Sequence, residues 1–204
     1  MKDFGDMILY LLVTATMQNL VLTTGFGSSS LVRLLRRPRQ RHTFVQLLLG
    51  FSVVTTALFY PFDQLLPMTW YRHLLRPLIA VVLAALVYVG TVLVARRRFS
   101  EWYQRVHRIM PLAVFNSIVV GVPLLTNYQL QVSFLESIGI AAGAAIGFAL
   151  ISAMSAEAME RLDNPDTPAA FRGLPGTLVY LGLLALALMG VVGDTGDVGV
   201  FNFI

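Results

Sequence analysis

Apolar residues run along this chain in blocks of about 20, and short polar or basic segments separate the blocks. About 20 consecutive apolar residues are enough to cross the hydrocarbon core of a bilayer as an α-helix. The pattern therefore predicts an all-α integral membrane protein with six transmembrane helices in a single domain, residues 1–204. The predicted spans cover residues 6–24, 44–65, 74–95, 109–127, 134–159 and 174–192.

The composition agrees with a membrane location. Of the 204 residues, 56% are hydrophobic and 13% are charged, whereas about 25% of the residues in a soluble domain are charged. The chain has no cysteine, which excludes disulfides and thiolate ligands from its own residues. The N-terminal segment lacks a basic region and a small-residue cleavage site, so we expect its apolar run to be retained as a helix.

Basic residues are distributed unequally between the two sides of the predicted bundle. Of the 15 Lys and Arg residues, 12 lie in the segments that follow spans one, three and five. The other three, Lys2, Arg72 and Arg76, fall on the opposite side. By the positive-inside rule, both termini then lie on the non-cytoplasmic side of a bacterial-type inner membrane, and the acidic tail with Asp194 and Asp197 agrees. Because the arginines cluster at span ends, the net charge of +4 indicates membrane orientation and not nucleic-acid binding. The cytoplasmic set is Arg33, Arg36, Arg37, Arg39, Arg41, Arg96, Arg97, Arg98, Arg105, Arg108, Arg161 and Arg172.

One basic segment also contains aromatic residues. Residues 96–108, RRRFSEWYQRVHR, predict an interfacial helix, because Trp102 and Tyr103 beside arginines are typical of the headgroup layer.

The two halves of the chain predict an inverted repeat, with repeat one at about residues 1–98 and repeat two at about 99–204. Spans one and four each have an asparagine, Asn19 or Asn116, followed by helix-breaking residues, GFG at 25–27 and GVP at 121–123. Paired interrupted spans indicate a midplane site in inverted-repeat membrane proteins. The alternative is that each asparagine only bonds to a neighbouring helix, worth about 0.6 kcal/mol. The matching positions leave both interpretations open.

Span five contains a stripe of small residues, Gly139, Gly143 and Gly147, at four-residue intervals. Such a face allows another backbone to approach closely, from a neighbouring span or from another subunit. Ionisable side chains lie near span ends or in loops, so the sequence shows no evident ion path, metal site or catalytic group. These residues are Asp63, Glu136, Glu157, Glu160, His42, His73 and His107.

Three stretches in order resemble a known family, the six-span subunits shared by the Rnf and Na⁺-translocating NADH:quinone oxidoreductase (Nqr) complexes. They are NLVLTTGFGSSS from Asn19, RIMPLAVFNSIVVGVPLL from Arg108, and the long run at residues 136–193. The most specific parts are Pro-Leu before Asn116, the glycine stripe, and DTPAAFRG at 166–173. The closer resemblance is to the A subunit of Rnf and the E subunit of Nqr.

The resemblance implies a partner and a cofactor. The partner is a paralogous, oppositely oriented six-span subunit like the E subunit of Rnf or the D subunit of Nqr, within a complex whose other subunits carry flavins and Fe–S centres. In the family each of the paired subunits supplies two cysteines to a [2Fe–2S] cluster near the midplane. Those positions here are Ser29 and Ser117. A serine hydroxyl contains no sulfur and is a far weaker acid than a thiol, so it cannot replace a thiolate ligand, and we expect no standard cluster to be held through this chain.

A second departure concerns ion movement. The family often has a glutamate late in span three, where this chain reads YVGTVLVA at 88–95. The chain therefore lacks one feature expected of a subunit that moves ions itself.

Three functions remain open at this point. The first is a membrane subunit of an Rnf/Nqr-like electron-transport, ion-translocating complex, either non-catalytic or electron-conducting. The second is a transporter or channel-like module in which Asn19, Ser29, Asn116 and Ser117 line a polar midplane site. The third is a purely structural scaffold subunit. The sequence leaves the coupled ion, the electron donor and the acceptor undetermined.

Overall fold

The computed structural model describes residues 2–35, 38–66, 71–130, 132–162, 168 and 171–192, which form helices joined by turns and contain no strands. Three sequence features named above, Arg36-Arg37, Asp166 and the acidic tail after residue 192, lie outside them. The described residues form ten α-helices, with a short 3₁₀ turn at Pro38–Gln40 and a π-helical turn at Leu125–Leu130. The α-helices are α1 Lys2–Ala15, α2 Leu20–Thr23, α3 Ser28–Leu35, α4 Arg41–Leu65, α5 Arg72–Arg98, α6 Ser100–Val106, α7 Met110–Val114, α8 Ser117–Leu124, α9 Phe134–Leu162 and α10 Leu174–Val192.

Four stretches among the described residues are long and apolar enough to cross a membrane: Arg41–Leu65, Leu74–Arg98, Met110–Asn127 and Phe134–Leu162. They confirm the predicted locations of spans two to five. The predicted span one is divided between α1 and α2, and the predicted span six contains a shorter apolar helix, Pro175–Gly190. The chain is therefore a multi-pass helical membrane protein.

Helices α4 and α9 form the centre of the bundle and pack against each other. The rings of Phe44 and Phe148 meet there with centroids 5.6 Å apart, and both side chains are buried. The outer helices α5 and α10 present large apolar side chains, such as Leu86 and Leu186, on the outside of the bundle. Such an exposed apolar surface suits a lipid environment and would be unusual in water.

The glycine stripe of α9 packs against α1 of the same chain. A Cβ on Gly143 would lie 2.6 Å from the carbonyl oxygen of Leu11, and a Cβ on Gly139 would overlap the carbonyl oxygen of Met7. Gly147 meets α1 one turn further on, beside Ala15. Of the two predicted roles for the stripe, contact with a neighbouring span is therefore the one that the structure shows.

A buried ion pair joins the end of α4 to the start of α5. The Arg76 guanidinium donates two hydrogen bonds to the Asp63 carboxylate, Nε to Oδ1 at 2.6 Å and an Nη to Oδ2 at 2.9 Å. Arg76 is 8% exposed and Asp63 is 5% exposed. A bidentate pair of this geometry links the two helices through two charge-assisted hydrogen bonds.

Helix α6 lies within the segment predicted to be interfacial. Its Tyr103 ring lies under the Arg96 guanidinium, 5.2 Å from the ring centroid, and Arg96 donates a hydrogen bond to the Tyr103 hydroxyl at 3.2 Å. These contacts hold α6 against the end of α5, so the predicted helix in this segment is confirmed.

Candidate functional site

The first helix break is organised by Asn19. Helix α1 ends at Ala15, and Asn19 takes extended backbone angles, φ −64° and ψ 110°, before α2 begins. Its side-chain Oδ1 accepts a hydrogen bond from the Val21 N–H at 3.0 Å, and its Nδ2 donates to the Ala15 carbonyl at 3.2 Å. The side chain is 2% exposed. Asn19 therefore satisfies backbone groups on both sides of the break, as a helix interrupted in a membrane requires.

The second break repeats this arrangement at Asn116. Helix α7 ends at Val114, and Asn116 is extended, with φ −83° and ψ 143°. Its Oδ1 accepts a hydrogen bond from the Ile118 N–H at 2.9 Å, and the residue is 3% exposed. Its Nδ2 has no hydrogen-bond partner within the described part of the chain. Both predicted midplane asparagines are thus N-caps of the helices that follow them.

The residues that make the breaks were predicted correctly in one half and wrongly in the other. In span one, Gly25 and Gly27 separate α2 from α3 and have φ of 74° and 80°, a region that favours glycine. In span four, α8 runs without interruption through residues 121–123. Gly121 is a packing residue there, because a Cβ on it would overlap the ring of Phe26. The break lies at Asn116 because the asparagine supplies a substitute hydrogen bond at that point.

The turn between α2 and α3 touches the second break. The Gly27 N–H donates a hydrogen bond to the Ser117 Oγ at 2.8 Å, across 90 residues of sequence. A Cβ on Gly27 would lie 2.9 Å from Ile118 Cδ1 and 3.0 Å from the Phe148 ring. The turn before α3 and the first turn of α8 therefore form one joined site, which we call the tip site, Gly25–Ser29 with Asn116–Ile118.

Ser29 and Ser117 are both exposed at the surface of this chain. Ser29 lies in the first turn of α3, two residues after Gly27, and Ser117 is the first residue of α8. Because Ser117 accepts the Gly27 hydrogen bond, that bond joins it to the segment that carries Ser29. Their exposure leaves them accessible to a neighbouring chain.

The donor groups of the tip site do not fit an iron–sulfur cluster. The chain offers three hydroxyls there, those of Ser28, Ser29 and Ser117, and the Ser117 hydroxyl already accepts the Gly27 hydrogen bond. Fe–S clusters are held by thiolates, which a serine cannot supply. Among the residues that the structure describes, no group of three or more His, Cys, Asp or Glu side chains could hold a metal ion.

Sequence reasoning named Phe26 and Gly27 only as part of a helix break and missed the contacts that they make. Phe26 packs on Gly121, and Gly27 bonds to Ser117, but neither pairing has a local sequence signal. The only hint was that Gly25 and Gly27 flank Phe26, which predicts a turn and not a contact.

Two asparagine-capped breaks within an apolar helical bundle, the second of them joined to the Gly25–Gly27 turn, define a class, the multi-pass membrane proteins with discontinuous helices. Within that class, the family model of the Rnf-Nqr subunit membrane proteins matches residues 7–193. The chain therefore belongs to the Rnf-Nqr family, which implies a place in a multi-subunit membrane complex. No curated protein matches the chain.

Proposed function

We propose that this chain is a membrane subunit of an Rnf/Nqr-like, redox-driven, ion-translocating complex. In that complex it forms a pseudo-symmetric core with a paralogous six-span subunit. The observation that carries the proposal is the family match over residues 7–193 together with the tip site, at which the family's two cluster positions fall. The exposed Ser29 and Ser117 give the paired subunit a surface to approach.

The packing of the helices supports two inverted repeats of three spans. Helices α1 and α2 correspond to α7 and α8, α4 corresponds to α9, and α5 corresponds to α10. Helix α1 packs on α9 as α7 and α8 pack on α4, and α10 contacts α2 as α5 contacts α8. Such an exchange of partners is expected from a pseudo-twofold axis between repeats of opposite orientation.

The cluster is the point at which this subunit departs from its family. With Ser29 and Ser117 at the cysteine positions, a partner that supplies two cysteines would leave a [2Fe–2S] cluster with half of its ligands. Electrons then cross at another cofactor or another subunit, and flavins and Fe–S centres belong to the partner subunits. The chain's own residues hold the Gly25–Gly27 turn against the second break and so position the surface that the paired subunit contacts.

A second candidate is the transporter or channel-like module. The observation that favours it is the buried Asn116 Nδ2, which has no hydrogen-bond partner in the described residues and could donate to a polar ligand. The side chain of Asn19, by contrast, is bonded at both its oxygen and its nitrogen. The two asparagines therefore do not form a matched pair of ligand donors, and we favour the complex subunit.

Co-purification from the native host separates these functions. An affinity-tagged chain is isolated in mild detergent and analysed by mass spectrometry. It should co-purify with a six-span paralogue and with flavin- or Fe–S-containing subunits. A homo-oligomer without redox partners would contradict the proposal and favour the transporter.

A substitution at the tip site tests where the paralogue binds. Ser29→Trp adds bulk at an exposed position, so it should release the paralogue while the chain stays folded. Ser100→Trp, on exposed α6, is the control and should retain it. Retention of the paralogue by both variants would exclude the tip site from the interface.

A further inference from the structure

A groove of about 740 Å³ lies on the outside of the bundle, between α4, α5 and α6. Its volume is within the range of small-molecule sites in proteins. It is lined by Val54, Val87, Gly90, Thr91, Val94, Ala95, Phe99 and Trp102. None of these residues belongs to the tip site, so the groove requires its own explanation.

The lining of the groove suits a hydrocarbon chain. The Thr91 hydroxyl donates to the Val87 carbonyl at 2.7 Å, so it is used within α5. A Cβ on Gly90 would meet no atom within 4 Å, which shows that the space beside this residue is open. The Trp102 indole N–H is the other polar side-chain group of the lining. A ligand that carries several carbonyl groups would therefore find few hydrogen-bond donors in the groove.

One end of the groove is strongly basic. Ala95 and Phe99 flank the run Arg96–Arg97–Arg98, in which Arg97 and Arg98 are exposed and Arg96 is engaged with Tyr103. Arg105 adds a further positive charge on α6, and Glu101 is the acidic residue of that helix. Trp102 is 43% exposed, as expected for an indole at headgroup level. Basic pockets beside membrane helices are typical binding sites for anionic lipid headgroups.

We propose that the groove binds one anionic phospholipid. Its acyl chain lies along α5 past Gly90, and its phosphate lies at Arg97 and Arg98 beside Trp102. From Val87 to Ala95 the groove follows α5 for about 12 Å, at about 1.5 Å per residue, which accommodates much of an acyl chain. The site goes beyond the proposed function, because it depends on neither the tip site nor any redox chemistry.

Fluorescence quenching tests the site in the full chain. The protein has two tryptophans, so Trp70→Phe leaves Trp102 as the sole tryptophan, which is excited selectively at wavelengths that tyrosine does not absorb. The variant is placed in phosphatidylcholine nanodiscs and titrated with phosphatidylglycerol that has a brominated acyl chain. Quenching should saturate at a low mole fraction of this lipid. Equal quenching by brominated phosphatidylcholine would overturn the preference for an anionic headgroup.

Substitutions then distinguish the part of the groove that holds the acyl chain from the part that binds the headgroup. Gly90→Leu fills the open space and should abolish saturable quenching. Gly182→Leu, at a glycine of α10 with equally open surroundings, should leave it unchanged. Arg97→Gln and Arg98→Gln should each weaken the apparent affinity about fivefold, because one basic residue near an anionic surface contributes about 1 kcal/mol. Unchanged quenching in the Gly90→Leu variant would overturn the proposal.

A photocrosslinker at Val94 provides a readout that leaves Gly90 intact. In native membranes, the reactive side chain should form adducts with phospholipid. Adducts with a protein helix would assign the groove to a subunit interface and overturn the lipid proposal.

Discussion

At the residue scale, Asn19 and Asn116 explain how two helices break within an apolar bundle. A break in lipid leaves backbone N–H and C=O groups that water cannot satisfy, and each such group costs several kcal/mol. Each asparagine supplies its amide oxygen to the N–H two residues ahead, at 3.0 Å for Val21 and 2.9 Å for Ile118. Asn19 also donates to the Ala15 carbonyl behind it. The two residues are therefore equivalent as N-caps, but the Asn19 side chain makes one more hydrogen bond than the Asn116 side chain.

This difference in the number of side-chain hydrogen bonds predicts different losses of stability for the two alanine variants. Asn19→Ala loses two hydrogen bonds and should lower the free energy of unfolding by about 1–2 kcal/mol, whereas Asn116→Ala should cost about 0.5–1 kcal/mol. Serine also caps helices well, so Asn116→Ser should restore most of the loss. Thermal unfolding in detergent measures the differences. A larger loss for Asn116→Ala than for Asn19→Ala would contradict the bonding assigned here.

The sequence could predict these asparagines but not their partners. Asn19 and Asn116 stand out because an amide is uncommon within an apolar run, and their spacing from glycine suggested related breaks. The Gly27–Ser117 hydrogen bond joins residues 90 positions apart, and only the tertiary fold brings them together. Gly121 was misread as a helix breaker because its sequence neighbour Pro123 suggested one, while its real contact, Phe26, is distant in sequence.

At the element scale, the contact of α1 with α9 depends on three glycines at one-turn intervals. Without side chains at Gly139, Gly143 and Gly147, the α1 backbone approaches α9 closely enough for its carbonyl oxygens to face the glycines. Close backbone approach through small residues is the main source of helix association in a bilayer, where apolar burial gives little driving force. The stripe therefore stabilises the single chain, and its effect on assembly is indirect.

Gly143→Leu should accordingly disrupt the chain itself. The first added carbon already lies 2.6 Å from the Leu11 carbonyl oxygen, so α1 must move away, at a cost of at least about 1–3 kcal/mol. Gly182→Leu on α10 meets no neighbouring atom and serves as the control. Size-exclusion chromatography with thermal unfolding should show loss of folded monomer only for Gly143→Leu. A stable monomer that merely fails to assemble would return the stripe to a subunit interface.

The Asp63–Arg76 pair predicts a non-additive double-mutant cycle. Removing one partner leaves a buried charge, so Asp63→Asn or Arg76→Gln alone should cost about 3–5 kcal/mol. The double variant Asp63→Asn/Arg76→Gln should cost clearly less than the sum of the two single variants. Thermal unfolding of the four proteins gives the coupling energy. Additive losses would mean that the two side chains act independently.

At the scale of the whole molecule, Arg41 and Arg98 lie at the same end of the α4–α5 pair, as the predicted orientation requires. The helix ends at Arg41 and Arg98 are joined to basic segments in the sequence, while the Asp63–Arg76 pair links the other ends of α4 and α5. The hydrophobic pattern was sufficient to predict the long spans, because span length follows directly from bilayer thickness. It could not define spans one and six as clearly, because one is divided and the other is short.

The orientation is testable because the chain has no cysteine of its own. Asp3→Cys and Gln104→Cys each introduce a unique thiol at an exposed position on opposite ends of the bundle. A membrane-impermeant maleimide should label the first in intact spheroplasts and the second only after permeabilisation, because the positive-inside rule places α6 in the cytoplasm. The reverse pattern would invert the topology.

The iron content of the complex tests the central claim most directly, namely that this chain keeps the family fold without a cluster at the tip site. The complex purified through this chain is compared with its Ser29→Ala/Ser117→Ala variant by iron and acid-labile sulfide analysis and by EPR of the reduced protein. Both preparations should contain the same iron and sulfide per complex and show identical spectra, since serine supplies no thiolate. A [2Fe–2S] signal that is present in the wild type and absent from the variant would contradict the account.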